Sequence, residues 1–282
     1  MNTYRHPRAG FCGGLAERLA NSDMLATTRH AVLSHLPYLK LESDVTNVVY
    51  LTWLVEAGAA QAFLPAGVRL WQREGMTPFT VLTYRHGHFG PAAAGRLRRV
   101  FPSPLQSNWR LYLDEDARGA LPARTVYFLK NIMSSLGYAL GARIFSDVLP
   151  THLAGRFIHR TDGTLFETLI DPGNGSAPSL ACTARRTDST ELSAPFASLF
   201  NSWPDAVEFL ACQDAAVTHV ERVGRLALGH IELPVDLSQV VPLKAEPGAA
   251  ACSLLDVLPS VGEPFCFVVP EVGFRVLSER LL

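Results

Sequence analysis

Short runs in which β-branched and aromatic residues alternate with polar ones dominate the chain. Such period-two patterns mark strands, because successive strand side chains point to opposite faces. TNVVYLTWLVE from Thr46 suits a buried strand, and AGAAQAFL after it a short helix ending before Pro65. VRLWQRE and FTVLTYRHGHF are the next strand candidates, the second bounded by Pro78 and by Gly90-Pro91. After a Pro/Gly/Arg-rich connection over 91–106, SNWRLYLDED reads as a strand closing in an acidic turn at Arg118-Gly119, and RTVYFLKN as another. SSLGYALGARIFSDVL reads as a helix with Ser134 or Ser135 as cap and Pro150 as terminator. THLAGRFIHR and TLFETLI form a hairpin about Asp162-Gly163, and SLACTARR a further strand. PFASLFNSWPDAVEFLACQ predicts two short helices broken at Pro204. AAVTHVERV, RLALGHIEL, FCFVVPEVG and FRVLSERLL complete a strand-rich C-terminal third, with the Ala/Gly-rich 246–264 between them giving no domain boundary. Residues 1–22 show no period. Ser22 or Asp23 caps a helix to about Leu36, stopped by Pro37. The predicted class is mainly β (α+β): an N-terminal extension with one helix over 1–45, then a single β domain over 46–282.

Composition narrows the function classes. Apolar residues make up 48% and charged residues 18% of 282 residues, enough apolar surface for a sizeable core. The net charge of −1, with no basic stripe, argues against nucleic acid. No run of about 18 apolar residues predicts a membrane helix, and the first twenty residues lack a secretory signal's apolar stretch. The five cysteines, at 12, 182, 212, 252 and 266, are widely spaced without a CxxC pair. They read as reduced cysteines of a cytoplasmic protein without structural zinc. Lysine stands only at 40, 130 and 244, against 22 arginines, so imine chemistry has three candidate nitrogens.

LTWLVEAGAAQAFLPAGV, FTVLTYRHGHFGP, QSNWRLYL and VYFLKNIMSSLGYALGARIFSDVLPTHLA stand in that order over roughly residues 46–280. In order and texture this resembles the acetoacetate decarboxylase-like superfamily, within it the YqjF-like branch of unknown function. The resemblance implies a mostly antiparallel β fold around a central cavity. It also implies a decarboxylase lysine that forms a Schiff base with a keto acid as the free amine. In the family that lysine follows a proline. The matching unit here is Asp147-Val148-Leu149-Pro150-Thr151-His152, so Thr151 or His152 stands at the lysine's place. This departure puts acetoacetate decarboxylation itself in doubt.

Four constellations carry candidate chemistry. Tyr84, His86 and His88 alternate onto one predicted strand face, either as pocket hydrogen-bonding or acid/base groups or as a metal half-site. Asn108, Arg110 and Tyr112 share a face opposite Ser107 and Trp109. An arginine fork beside an amide suits a carboxylate with a neighbouring carbonyl. Lys130 shares a predicted face with Phe128 and Val126, where desolvation makes an amine nucleophilic; a strand ending at Leu129 instead turns it to solvent. Arg143 and Asp147, four apart on the predicted helix, suit an ion pair, and His152 beyond Pro150 suits general acid or base work. The leading expectation is a cofactor-independent enzyme with a small carbonyl- or carboxylate-bearing substrate and lyase or acid/base chemistry. Its candidate catalytic residues are His86, His88, His152 and Lys130, and its candidate substrate-binding residues Tyr84, Asn108, Arg110, Tyr112 and Arg143. The rivals are a non-catalytic small-molecule-binding protein and a metal enzyme using His86 and His88. No nucleic-acid or membrane partner is expected, and a homo-oligomer remains open.

Overall fold

The computed structural model describes residues 2–33, 38–114 and 121–282. The expected stop at Pro37 and the turn at Arg118-Gly119 lie outside the described residues. The N-terminal segment holds two helices, α1 (Phe11–Ala20) and α2 (Asp23–Leu33), where one was expected. α1 escapes a periodicity reading because it buries small residues, Gly13 and Ala16, and leaves Phe11 and Leu15 exposed.

The strands follow as β1 (Leu41–Glu56), β2 (Met76–Arg85), β3 (Gly90–Pro91), β4 (Leu105–Tyr112), β5 (Thr125–Met133), β6 (Thr151–Leu153), β7 (Arg156–Thr161), β8 (Leu165–Asp171), β9 (Leu180–Arg186), β10 (Ala215–Val220), β11 (Arg225–Glu232), β12 (Val241–Cys252) and β13 (Ser260–Leu281). Between them lie α3 (Ala57–Gln61), α4 (Leu136–Phe145), α5 (Ala194–Ala197) and α6 (Trp203–Ala211). Three expectations need correction. VRLWQRE forms no strand, only two isolated bridges, Leu70 to Leu113 and Arg73 to Met76. FCFVVPEVG and FRVLSERLL are one 22-residue strand, β13, whose Pro270 stands outside the registered pairs with β1. The Ala/Gly-rich stretch supplies the second half of β12, where Ala250 and Ala251 pair with β9, while Val241, Pro242 and Leu243 before it pair with β13.

Pairing runs β1–β2–β4–β5–β10–β11–β13, and β13 returns to β1, so seven strands close a ring. All these pairs are antiparallel except β5–β10. From β13 the sheet also continues through β12, β9 and β8 to β7. The hairpin of β7 and β8 turns at Gly163, whose φ of 96° suits glycine.

Period-two alternation gives the ring strands two distinct faces. One carries Trp53, Phe79, Trp109, Leu129 and Ile132 and is covered by Phe166, Ile170, Leu180 and Leu243 of the continuing sheet. The other, called here the α6 face, carries Tyr50, Leu82, Tyr84, Tyr112, Phe128 and Phe267 and is covered by Val207, Leu210 and Ala211 of α6. Ser202 caps α6, its hydroxyl accepting from the Asp205 amide. No helix among the described residues is long and apolar enough to cross a membrane.

Candidate functional site

The α6 face is lined with polar side chains where β1, β2, β4 and β5 meet. His86, fully buried, directly follows β2 and bonds to this group. Its Nδ1 is 2.8 Å from the Ser43 hydroxyl and its Nε2 is 2.7 Å from Gln106 Oε1. Gln106 Nε2 donates to Asn108 Oδ1 at 2.9 Å and to Asn131 Oδ1 at 2.8 Å. Asn131 donates on to Thr151 Oγ1 at 2.7 Å, and Asn108 to the Tyr84 hydroxyl at 3.1 Å. In the neutral assignment Nε2 donates to Gln106 Oε1, and Nδ1 at 2.8 Å shares the Ser43 hydroxyl proton with the Gly87 carbonyl at 3.2 Å. Burial agrees with it, pushing the His86 pKa down to about 4. Tyr84 accepts from Asn108, and among the described residues its own hydroxyl proton meets no acceptor. Burial holds that phenol well above the usual tyrosine range.

Next to this network lies Arg110, 2% exposed. Its guanidinium sits 5.5 Å from the ring centres of both Tyr50 and Tyr112. Nη2 donates to the Leu210 carbonyl of α6 at 2.5 Å, which also accepts from Tyr112 at 3.0 Å. Nε has no partner, and among the described residues no carboxylate pairs with Arg110. Burial works against the charge, but the Tyr112 and Tyr50 phenols outweigh it and keep the guanidinium charged. Tyr50 is no phenolate, since burial pushes its pKa up to about 12 despite Arg110. A buried cation with no carboxylate beside it among the described residues favours any anion that reaches it. Just outside, a cleft of about 520 Å³ is floored by Tyr112 and Phe209 and walled by Trp71, Asp114 and Glu208. It therefore reaches the residues that cover Arg110.

The candidates named from sequence fall into two groups. Tyr84, His86, Asn108, Arg110 and Tyr112 share the α6 face. His88 does not join them: β2 ends at Arg85, and His88 sits in the following turn with φ 53°. The expected His-x-His half-site is therefore absent, and both His86 nitrogens are already engaged. No group of three His, Cys, Asp or Glu side chains among the described residues is placed to hold a metal.

Lys130, His152 and Arg143 form the second group. Lys130 does not share a face with Phe128. Trp109 pairs with Lys130 and Arg110 with Phe128, so Leu129 is an extra residue in β5 and this bulge reverses Lys130. Its amine is 2.9 Å from Asn2 Oδ1 and 3.4 Å from His152 Nε2. Burial, then Arg143, lowers its pKa to about 8. Burial, then Lys130 and Arg143, keeps His152 neutral, with Nδ1 2.7 Å from Ser176 Oγ. Arg143 makes no helical ion pair with Asp147, which pairs with Arg29 and Arg222 because α4 ends at Phe145. Thr151, by contrast, faces Asn131, so of the two residues at the family's lysine position only Thr151 belongs to the α6-face network. Sequence reading missed Gln106, Asn131 and Ser43 as network members. Gln106 alternates in phase with Asn108, which was the available signal.

Histidines held neutral by burial make stability fall in acid. The unfolded imidazole takes a proton near pH 6.5, whereas folded His86 resists it down to about 4. His86 thus contributes its full stability above about pH 6.5, and the contribution is lost as pH falls to about 4. The slope is about 1.4 kcal/mol per pH unit. Urea unfolding at pH 6.5, 5.5 and 4.5 is expected to show this slope reduced by that amount in His86→Gln; an unchanged slope rejects a neutral buried His86.

No family model matches the chain, and no curated protein matches it. Solved structures do match by fold. The enduracididine biosynthesis enzyme MppR complexed with pyruvate aligns with TM-score 0.57 at 13% identity, over 88% of this chain and 91% of that one. An acetoacetate decarboxylase-like enzyme from Sphingomonas wittichii RW1 aligns at 0.53 and 10% identity, over 88% and 94%. Acetoacetate decarboxylase from Legionella pneumophila aligns at 0.52 and 10% identity, over 86% of each chain.

Proposed function

We propose that this chain is a cofactor-independent enzyme that binds a small keto acid on the α6 face and performs acid/base chemistry beside its carbonyl. The single observation that carries this reading is Arg110, a buried guanidinium with an unspent Nε–H and no carboxylate partner among the described residues. The fold relative that holds pyruvate supports the same ligand class. Arg110 anchors the carboxylate. The unspent Tyr84 proton is donated to the carbonyl oxygen and polarises it, which acidifies the adjacent C–H. Asn108 orients Tyr84, and His86 acts through Gln106 as a positioning residue. Carboxylate loss is disfavoured here, because the Arg110 ion pair stabilises the ground state that decarboxylation must give up.

An imine route is the second reading, and the geometry separates it from this face. Thr151 stands in the network, and Lys130 meets Asn2 and His152 instead. Calorimetry with pyruvate and with its ethyl ester tests the binding. The acid is expected to bind and the ester to bind at least tenfold more weakly; equal binding rejects Arg110 as anchor. Incubation with pyruvate and borohydride is expected to leave Lys130 unmodified by mass spectrometry. A pyruvyl adduct there would replace acid/base chemistry with covalent catalysis.

A further inference from the structure

One exposed segment carries an inference that does not rest on the α6-face reading. After β3 the chain runs through the 3₁₀ segment Ala92–Val100, none of whose residues is buried. Gly95, with φ 50° and ψ −124°, breaks it, so residues 96–100 form a 3₁₀ turn of their own. In such a turn, residues three apart lie one above the other. Arg98, the pair Arg96 and Arg99, and the pair Leu97 and Val100 therefore point three different ways. Arg98 fixes which way is inward. Its side chain, 12% exposed, donates to the His88 carbonyl at 3.3 Å and to Glu42 and Asp44 at 3.4 Å each. The ends of the segment are tied as well. Ala92 N–H donates to the Lys40 carbonyl and Phe101 N–H to the Arg98 carbonyl, each at 2.9 Å. The Phe101 ring lies so close to Gly90 that a Cβ there would meet it at 2.9 Å.

The two remaining rows face outward. Leu97 is 72% and Val100 79% exposed. Beside them Arg96 and Arg99 are exposed and, among the described residues, meet no carboxylate. Lys40, alongside the start of the segment, is exposed and equally without a carboxylate there. Glu42 and Asp44, the acids this segment does touch, are engaged by Arg98. The whole chain carries a net charge of −1, so this face is a local concentration of positive charge. An apolar row beside a row of unspent cations matches an anionic layer with an apolar one beneath it. A second copy of the chain fits poorly, because a two-fold axis would set the cationic face against its own image. The expectation of no membrane partner rested on the lack of a spanning run, which has no bearing on a contact made by a single turn.

The geometry points to a membrane-docking surface: the turn over residues 96–100 lies on an anionic phospholipid bilayer. Leu97 and Val100 dip below the headgroups, while Arg96, Arg99 and Lys40 meet the lipid phosphates. The contact is reversible, since one turn buries few apolar groups. It weakens as salt rises, since its cations act at the solvated surface.

The test mixes the full chain with vesicles of phosphatidylcholine alone, or of phosphatidylcholine with about one-third phosphatidylglycerol, and measures bound protein by flotation. Affinity for the anionic vesicles is expected to exceed that for the neutral ones at least tenfold and to fall as salt is raised. Arg96→Gln combined with Arg99→Gln is expected to lower it at least tenfold. Leu97→Ser combined with Val100→Ser is expected to lower it at least fivefold with no change in net charge. All four side chains are exposed, so both variants are expected to melt with the parent protein, which thermal melting checks on the same samples. No binding to the anionic vesicles, or equal binding to both kinds, overturns the proposal. So does a loss confined to the arginine variant, which would mark a face that attracts an acidic protein and not one that enters a bilayer. Undiminished binding by the arginine variant overturns it equally.

Discussion

An Arg110→Met variant is expected to lose about two orders of magnitude in affinity for pyruvate while melting no lower than the parent protein. The two halves have one cause. A charge-assisted, two-pronged contact to a carboxylate contributes about 3 kcal/mol, or roughly 100-fold. Without ligand, however, the same guanidinium is desolvated among Tyr50, Tyr112 and α6, with Nε unpaired and no carboxylate beside it among the described residues. Methionine has a similar length and no charge to desolvate, so it restores much of the lost packing. The Leu210 carbonyl loses one donor but keeps Tyr112. Thermal melting and calorimetry on the same samples decide the matter. A variant that still binds pyruvate normally, or one that is several kcal/mol less stable, would show that Arg110 is a structural strut and not an anchor held ready.

Gln106→Leu is expected to show the opposite balance, with a stability loss of about 4 kcal/mol. Leucine roughly matches the volume, so the cost is polar and not a cavity. Gln106 is the hub through which His86 Nε2, Asn108 Oδ1 and Asn131 Oδ1 are all satisfied. Removing it strands three buried groups at once, each costing about 1–3 kcal/mol. Urea unfolding measures it: the midpoint falls with an unchanged slope on denaturant. Adding His86→Phe to Gln106→Leu removes one stranded group and should recover part of the loss. A loss below about 1 kcal/mol in the single variant would mean that the three groups re-pair without Gln106, and the network would not be the rigid support for Tyr84 described above.

Thr151 ties the two results together. The family resemblance implies a lysine at Thr151 or His152, and of these two only Thr151 joins the Gln106 network. Where an amine would stand, a threonine hydroxyl accepts from Asn131 and extends the Gln106 network. A polar network that is internally satisfied orients donors, whereas a lysine would bring a nucleophile and a second buried charge. On the proposed function, the α6 face holds and polarises an anion and does not attack it.

Much of this was present in the sequence by itself. Period-two alternation located β2, β4 and β5, and it placed Tyr84 with His86 and Asn108 with Arg110 and Tyr112, because strand geometry assigns faces locally. The departure at Pro150-Thr151-His152 was equally visible. Only the tertiary structure decided the rest. Alternation cannot foresee an extra residue, so the bulge at Leu129 moved Lys130 off its expected face. It cannot foresee a backbone turn either, so His88 left the strand that should have carried it. Strands made of alanine and glycine carry no apolar rhythm, which concealed β12. Ring closure joins Val48 to Val269, more than 200 residues apart, through main-chain hydrogen bonds to which side-chain pattern is blind. Residues 2–8 are the extreme case: they have no period at all, yet they run past a loop at which a Cβ on Gly173 or Gly175 would meet the Pro7 or Arg5 carbonyl oxygen at 3.1 Å.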